Sequence, residues 1–256
     1  MFENIDVDTK GPIGEIRLTR AEKLNPLSTK TLQELAQAAH LFDEHRDVKV
    51  VIVRGEGRAF SAGADLATFS SQGDLPIRDA ADIGREMAEA LESMRAISIA
   101  AIHGWCIGGG LVLAAACDLR IATEEARFSI PEIDLGIPLA WGGIPRLVRE
   151  IGPALTKELV LTCRAFDAAE ARAAGFLNRV VPADELDTTV RELAELLAKK
   201  ASYAIFSTKR HVNAVTDQMV GTMRSWSDAD GLAAALSDEE CAEARRAYLK
   251  GRHPKN

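Results

Sequence analysis

Gly104-Trp105-Cys106-Ile107-Gly108-Gly109-Gly110-Leu111-Val112-Leu113-Ala114-Ala115-Ala116-Cys117-Asp118 follows an apolar strand pattern at residues 97–102 and runs into a short, wholly apolar helical pattern. Three adjacent glycines cost conformational entropy and pack no side chain. One reading is that they let a ligand reach bare backbone N–H groups at a helix N-terminus, where the dipole favours negative charge. The other is a tight turn forced by sterics inside a buried strand–helix unit. A second junction upstream tips the balance toward the first. Ala59-Phe60-Ser61-Ala62-Gly63-Ala64-Asp65-Leu66 follows a strand pattern at 49–53 and a polar turn at 55–58. Small residues again line the passage from strand to helix, and Asp65 stands where an N-cap belongs. Two such junctions, each offering an N–H to one oxygen, have the makings of an oxyanion hole.

Outward from these junctions the chain alternates. Strand patterns fall at 13–18, 49–53, 97–102, 118–123, 127–129 and 178–181. Helical patterns fall at 29–44, 80–94, 109–116, 144–151 and 153–163, with Pro153 in the first turn of its helix, where a missing N–H is no loss. The alternation predicts an α/β architecture with a largely parallel sheet. From about Pro182 the character changes to four successive helical patterns, at 184–200, 203–214, 221–236 and 238–250. The chain therefore reads as a core over 1–182 and a helical region over 183–256. Ser237-Asp238-Glu239-Glu240 reads as an N-cap with dipole-complementing acids, and Gly251 as the end of the last helix. This tail is either a cap or assembly element, or ordinary intramolecular core. Residues 70–79 read as a loop near a pocket mouth.

Composition narrows the function. A chain of 256 residues suits one compact domain with a terminal appendage. A net charge of −7 argues against a nucleic-acid surface or a polybasic membrane patch. No apolar run reaches the roughly 18 residues that span a bilayer, and the N-terminus lacks the features of a signal peptide. The expectation is a cytoplasmic protein. Cys106, Cys117, Cys163 and Cys241 show no CxxC spacing, and the five histidines form no HxxxH or HxH pattern. Buried thiols and no metal site are expected. Neither GxGxxG nor GxxxxGK[ST] occurs, so the glycines make no case for NAD or a nucleotide triphosphate.

The two junction motifs resemble those of the enoyl-CoA hydratase/isomerase (crotonase) superfamily, and the resemblance runs nearly end to end. It implies a crotonase-like spiral of ββα turns. It also implies that the helical tail packs against neighbouring subunits in a homotrimer or homohexamer. The substrate it implies is a small-molecule acyl-CoA, with coenzyme A as part of the substrate and no prosthetic group. Ala64 and Gly109 match the family's oxyanion pair, in which one donor contributes roughly 3–4 kcal/mol by mutational analogy. Gly109 also has a physical case of its own, at a helix N-terminus.

Glu132, in Ser129-Ile130-Pro131-Glu132-Ile133-Asp134-Leu135-Gly136, matches the family's catalytic glutamate. Its apolar setting should raise its pKa and suit it to proton transfer near neutral pH. Read alone, it is better taken as a surface residue at a loop start or a partner for an arginine such as Arg146. Hydratases of the family carry a second glutamate where this chain has Val112. Adding water needs a water held at C3, and two carboxylates hold it. Moving a double bond needs one base and profits from a dry pocket. The pattern is similar to that of Δ3,Δ2-enoyl-CoA isomerases, so an isomerase is expected. A 2-enoyl-CoA hydratase using another carboxylate (Asp134, Glu86 or Glu89) and a catalytically silent acyl-CoA binder are the alternatives. Ala140 occupies the position of the aspartate used by the family's dienoyl isomerases and dehalogenases, which argues against both.

For the coenzyme A handle, the stretch 20–28 resembles the family's loop over the ligand. Lys23 and Arg58 are the candidate phosphate contacts, with Leu24, Ala62, Asp65 and Leu66 beside them. Tyr248 resembles a tail aromatic over the adenine, and Lys250 and Arg252 are candidates from a neighbouring subunit. Val112, Ile130 and Trp141 are expected to line the acyl pocket. Lys23 and Arg58 also read as plain surface cations, and Trp141 and Tyr248 as packing residues.

Overall fold

Strands β1 (Ile5–Asp8), β2 (Ile13–Leu18), β3 (Val50–Gly55), β5 (Ile97–Ile102), β7 (Leu119–Thr123) and β10 (Arg179–Val181) form one sheet in the order β1-β2-β3-β5-β7-β10. Only β1 runs antiparallel to its neighbour. The central strands β3 and β5 read as apolar runs because both of their faces are covered. Alternate residues point to opposite faces. Val51, Val53, Ala100 and Ile102 enter the main core with helices α1 (Thr29–Glu44) and α2 (Ile77–Ser93). Val50, Ile52, Ile99 and Ala101 pack against Leu186, Val190 and Ala194 of a helix at Leu186–Ala198. The structure is a computed structural model and describes residues 2–66, 77–225 and 227–252.

A second sheet holds β4 (Ala59–Ser61), β6 (Trp105–Ile107), β8 (Arg127–Ser129) and β9 (Phe166–Asp167), in that order, with β4, β6 and β8 parallel. Each of the pairs β3/β4, β5/β6 and β7/β8 thus gives one strand to each sheet. Helices α2, α3 (Gly109–Ala115) and α4 (Gly143–Thr162) follow these pairs. This is the ββα spiral. The sequence patterns omit β1, β4, β6, β9 and the six-residue helix α5 (Ala168–Ala173). Strands of two to four residues are too short to establish an alternation. The glycine run accordingly follows β6, not β5. Within α4, Gly152 (φ 76°, ψ 163°) separates two helical segments, and Pro153 opens the second.

Beyond β10 lie α6 (Leu186–Ala198), α7 (Ser202–Val220), α8 (Asp228–Ser237) and α9 (Glu239–Arg252). The pattern at 221–236 divides into a 3₁₀ turn, Thr222–Ser225, and α8. Asp238 caps α9 by accepting the Cys241 N–H at 2.9 Å. Gly251 does not end that helix, which continues to Arg252. Ala229 and Leu232 of α8 are buried against Ala81, Leu135 and Ile137, and Tyr248 of α9 packs on the same cluster. This part of the tail is core of its own chain. Of the loop expected at 70–79, residues 70–76 lie outside the described residues and 77–79 begin α2. No helix among the described residues is long and apolar enough to cross a membrane.

Candidate active site

The second sheet aligns three strand ends. Ser61 pairs with Cys106 and Ile107 with Ser129, so β4, β6 and β8 finish side by side. The segments that leave them carry Ala64, Gly109 and Glu132. Gly108 donates its N–H to the Ser129 carbonyl at 2.9 Å, which ties the glycine turn to the strand leading to Glu132. On the other side, the Leu27 N–H donates to Gly63 O, and Leu27 O accepts the Asp65 N–H. In that parallel bridge the intervening Ala64 N–H is directed away from Leu27. The Ala64 segment touches the glycine turn: a Cβ at Gly63 would stand 3.3 Å from the Gly109 nitrogen.

Each of the three glycines meets a different neighbour. Gly108 has φ +49°, and a Cβ there would stand 2.4 Å from Glu132 Oε1. At Gly109 a Cβ would stand 2.2 Å from Trp141 Cζ3, and at Gly110 it would stand 2.8 Å from Ser61 Cβ. Leu111 and Val112 already direct their N–H groups to the Gly108 carbonyl. Gly109 is the first residue of α3, so its own N–H has no acceptor within the helix. The two readings of the glycine run therefore coexist: the turn is sterically forced, and it presents an amide.

Around these segments lies a cavity of about 30 Å³. Its described lining includes Ala64, Gly109, Val112, Glu132, Trp141 and Leu232. Among the described lining residues, Glu132 is the only ionisable one. Burial pushes its carboxyl from 4.5 up to about 7, a rise its own backbone amide partly offsets. Glu132 Oε1 faces Gly108, and the buried Oε2 has no hydrogen-bond partner in the protein. Arg146 does not neutralise it, since its guanidinium pairs with Glu92. None of the alternative acids lines the cavity. Asp134 and Glu86 are exposed, and Glu89 is paired with Arg85. A carboxyl near half-ionisation beside two directed amides can move a proton next to a polarised carbonyl.

Val112 and Trp141 line the cavity beside Glu132. Ile130 does not: it is fully buried in the main core on the side of Phe128, two residues earlier, and the chain turns at Pro131 before it presents Glu132. Sequence reasoning missed Leu232, which reaches the cavity from α8 across a hundred residues of chain and carries no local signal. It also missed the braces of the Trp141 turn, where Asp228 accepts the Gly142 N–H at 2.8 Å.

The candidate handle residues lie together. Leu24 O accepts the Ala62 N–H at 2.8 Å, Ser61 Oγ donates to Asn25 O, and Arg20 pairs with Asp65 at 2.9 Å. The Asp65 carboxylate is thus engaged with Arg20, while the N-cap expected of it concerns a segment outside the described residues. The turns carrying Lys23 and Arg58 meet where a Cβ at Gly57 would stand 2.9 Å from Ala21 Cβ. Both cations are exposed. Leu66 and Tyr248 share one apolar cluster.

A sequence model of the enoyl-CoA hydratase/isomerase family matches residues 8–256. The chain is 35% identical over 262 residues to a probable enoyl-CoA hydratase of Mycobacterium bovis, covering 99% of this chain and 97% of that protein. It is 33% identical over 271 residues to a peroxisomal Δ(3,5)-Δ(2,4)-dienoyl-CoA isomerase of Arabidopsis thaliana, covering 99% and 96%. Among solved structures, an enoyl-CoA hydratase/isomerase from Pseudoalteromonas atlantica superposes with a TM-score of 0.87 at 25% identity, covering 99% of this chain and 100% of that one.

Proposed function

Since the chain belongs to the enoyl-CoA hydratase/isomerase family, we propose that it shifts the double bond of a 3-enoyl-CoA to the 2 position, with Glu132 as its single acid–base. The observation that carries this reading is the cavity lining, in which Val112 takes the place of a second carboxylate beside Gly109. The amides of Ala64 and Gly109 hold the thioester oxygen. The ionised Glu132 removes a proton from C2, and the electron pair delocalises onto that oxygen to give a dienolate. Glu132 then returns the proton to C4, and the double bond settles between C2 and C3. No atom is gained or lost. The apolar walls, Val112 and Leu232 among them, disfavour water at the dienolate.

Lys23 and Arg58 are the contacts we assign to the phosphates of coenzyme A, with Ala62, Leu66 and Tyr248 toward its adenine end. Val212, Val215 and Met219 stand exposed on one side of α7, an apolar face suited to assembly as a homotrimer or a pair of trimers. The location we propose is the cytoplasm.

A hydratase is the second reading, favoured by the name of the M. bovis relative, which matches over 99% of this chain. Purified protein incubated with 3-enoyl-CoA and, separately, with 2-enoyl-CoA discriminates the readings. We expect 2-enoyl product from the first and no loss of the 2-enoyl absorbance in the second. Conversion of 2-enoyl-CoA to the 3-hydroxy thioester would establish the hydratase instead, and binding without turnover of either would mark a silent site.

A further inference from the structure

We propose that Trp141 sets the acyl-chain length of this site, by filling the slot between Gly84 and Gly109 so that only a short acyl group fits. The inference rests on the acyl-CoA reading above and adds a substrate class to it. Gly84 lies inside α2 and Gly109 opens α3. A Cβ at Gly84 would stand 2.2–2.3 Å from Cδ2, Cδ1 and Cε2 of Trp141, on the five-membered ring. A Cβ at Gly109 would stand 2.2 Å from Cζ3 and 2.9 Å from Cη2, on the six-membered ring. The indole is therefore laid against bare backbone of two helices at once. A glycine inside a helix is unfavourable relative to alanine, and at Gly84 the space it clears is taken by the ring.

The ring is held there by its own turn. Trp141 and Gly142 both have positive φ (61° and 68°), a conformation that costs a tryptophan stability. Arg146, fully buried, donates to the carbonyls of Trp141 and Gly142, and Asp228 accepts the Gly142 N–H. With the indole in place, the cavity beside Glu132 and Gly109 is small, about 30 Å³, and Trp141 forms part of its wall. The space beside Gly84 and Gly109 into which further acyl carbons would extend is taken by the indole.

The test is kcat/KM for butenoyl, octenoyl and dodecenoyl thioesters with wild type, Trp141→Phe and Trp141→Ala. Wild type should prefer the shortest by roughly tenfold or more. Trp141→Ala should raise the long-to-short ratio by roughly tenfold or more, with Trp141→Phe between the two. An unchanged ratio in a folded variant overturns the proposal. Wild-type affinities for saturated butyryl- and lauroyl-CoA, read by calorimetry, need neither a folded variant nor turnover. Tighter lauroyl binding overturns the chain-length claim even if the double-bond chemistry stands. A short-chain preference without turnover upholds it while the reaction assignment fails.

Discussion

Glu132 is legible in the sequence only through its neighbours. Its own letter is compatible with a surface carboxylate or with a partner for Arg146. The structure separates these by geometry: Arg146 is committed to Glu92, and Glu132 Oε2 is buried without a protein partner. Burial raises its pKa to about 7, so the folded chain favours the neutral acid. The associated stability is fully present below the unfolded value near 4.5 and is lost as pH rises through about 7. Glu132→Gln removes this titration. Its stability relative to wild type should rise across that window by roughly 3 kcal/mol in total. Chemical denaturation at pH 5 and pH 8.5 measures it. An offset between the two proteins that does not change with pH would mean the carboxyl is solvated.

Long periodic elements were readable in the sequence, and most short ones were not. The helix at 29–44 and the strands at 13–18 and 97–102 coincide with the structure because a repeated apolar spacing marks each of them. The three-residue strands β4, β6 and β8 place the site, yet only β8 is readable in advance. Their ends are fixed by pairing between distant segments, which no local window contains. The turn after Glu132 shows the same dependence. Gly136 has φ +64°, and a Cβ there would stand 2.2 Å from the Cys241 carbonyl oxygen of α9. Gly11 has φ +74° with open space around it. Gly136→Ala should therefore destabilise by about 1–3 kcal/mol more than Gly11→Ala. Equal costs in urea unfolding would show that α9 yields without resistance.

At the scale of the whole molecule, the alternation of patterns gave the α/β class, and the resemblance gave the spiral. The role of the tail was open in the sequence because an apolar helix face does not name its partner. In the structure α8 closes the cavity of its own chain through Leu232, whereas α7 keeps an exposed apolar face. Sedimentation at three or six chain masses is the result we expect of that face, and a stable monomer would contradict it. The claim that joins these scales is that one carboxylate moves the proton while two amides hold the carbonyl. Its most direct measurement is turnover of a short 3-enoyl-CoA by Glu132→Gln, beside calorimetric affinity for the matching saturated acyl-CoA. Turnover should fall by on the order of 10²–10⁴ with affinity essentially retained. Turnover equal to wild type would contradict that claim.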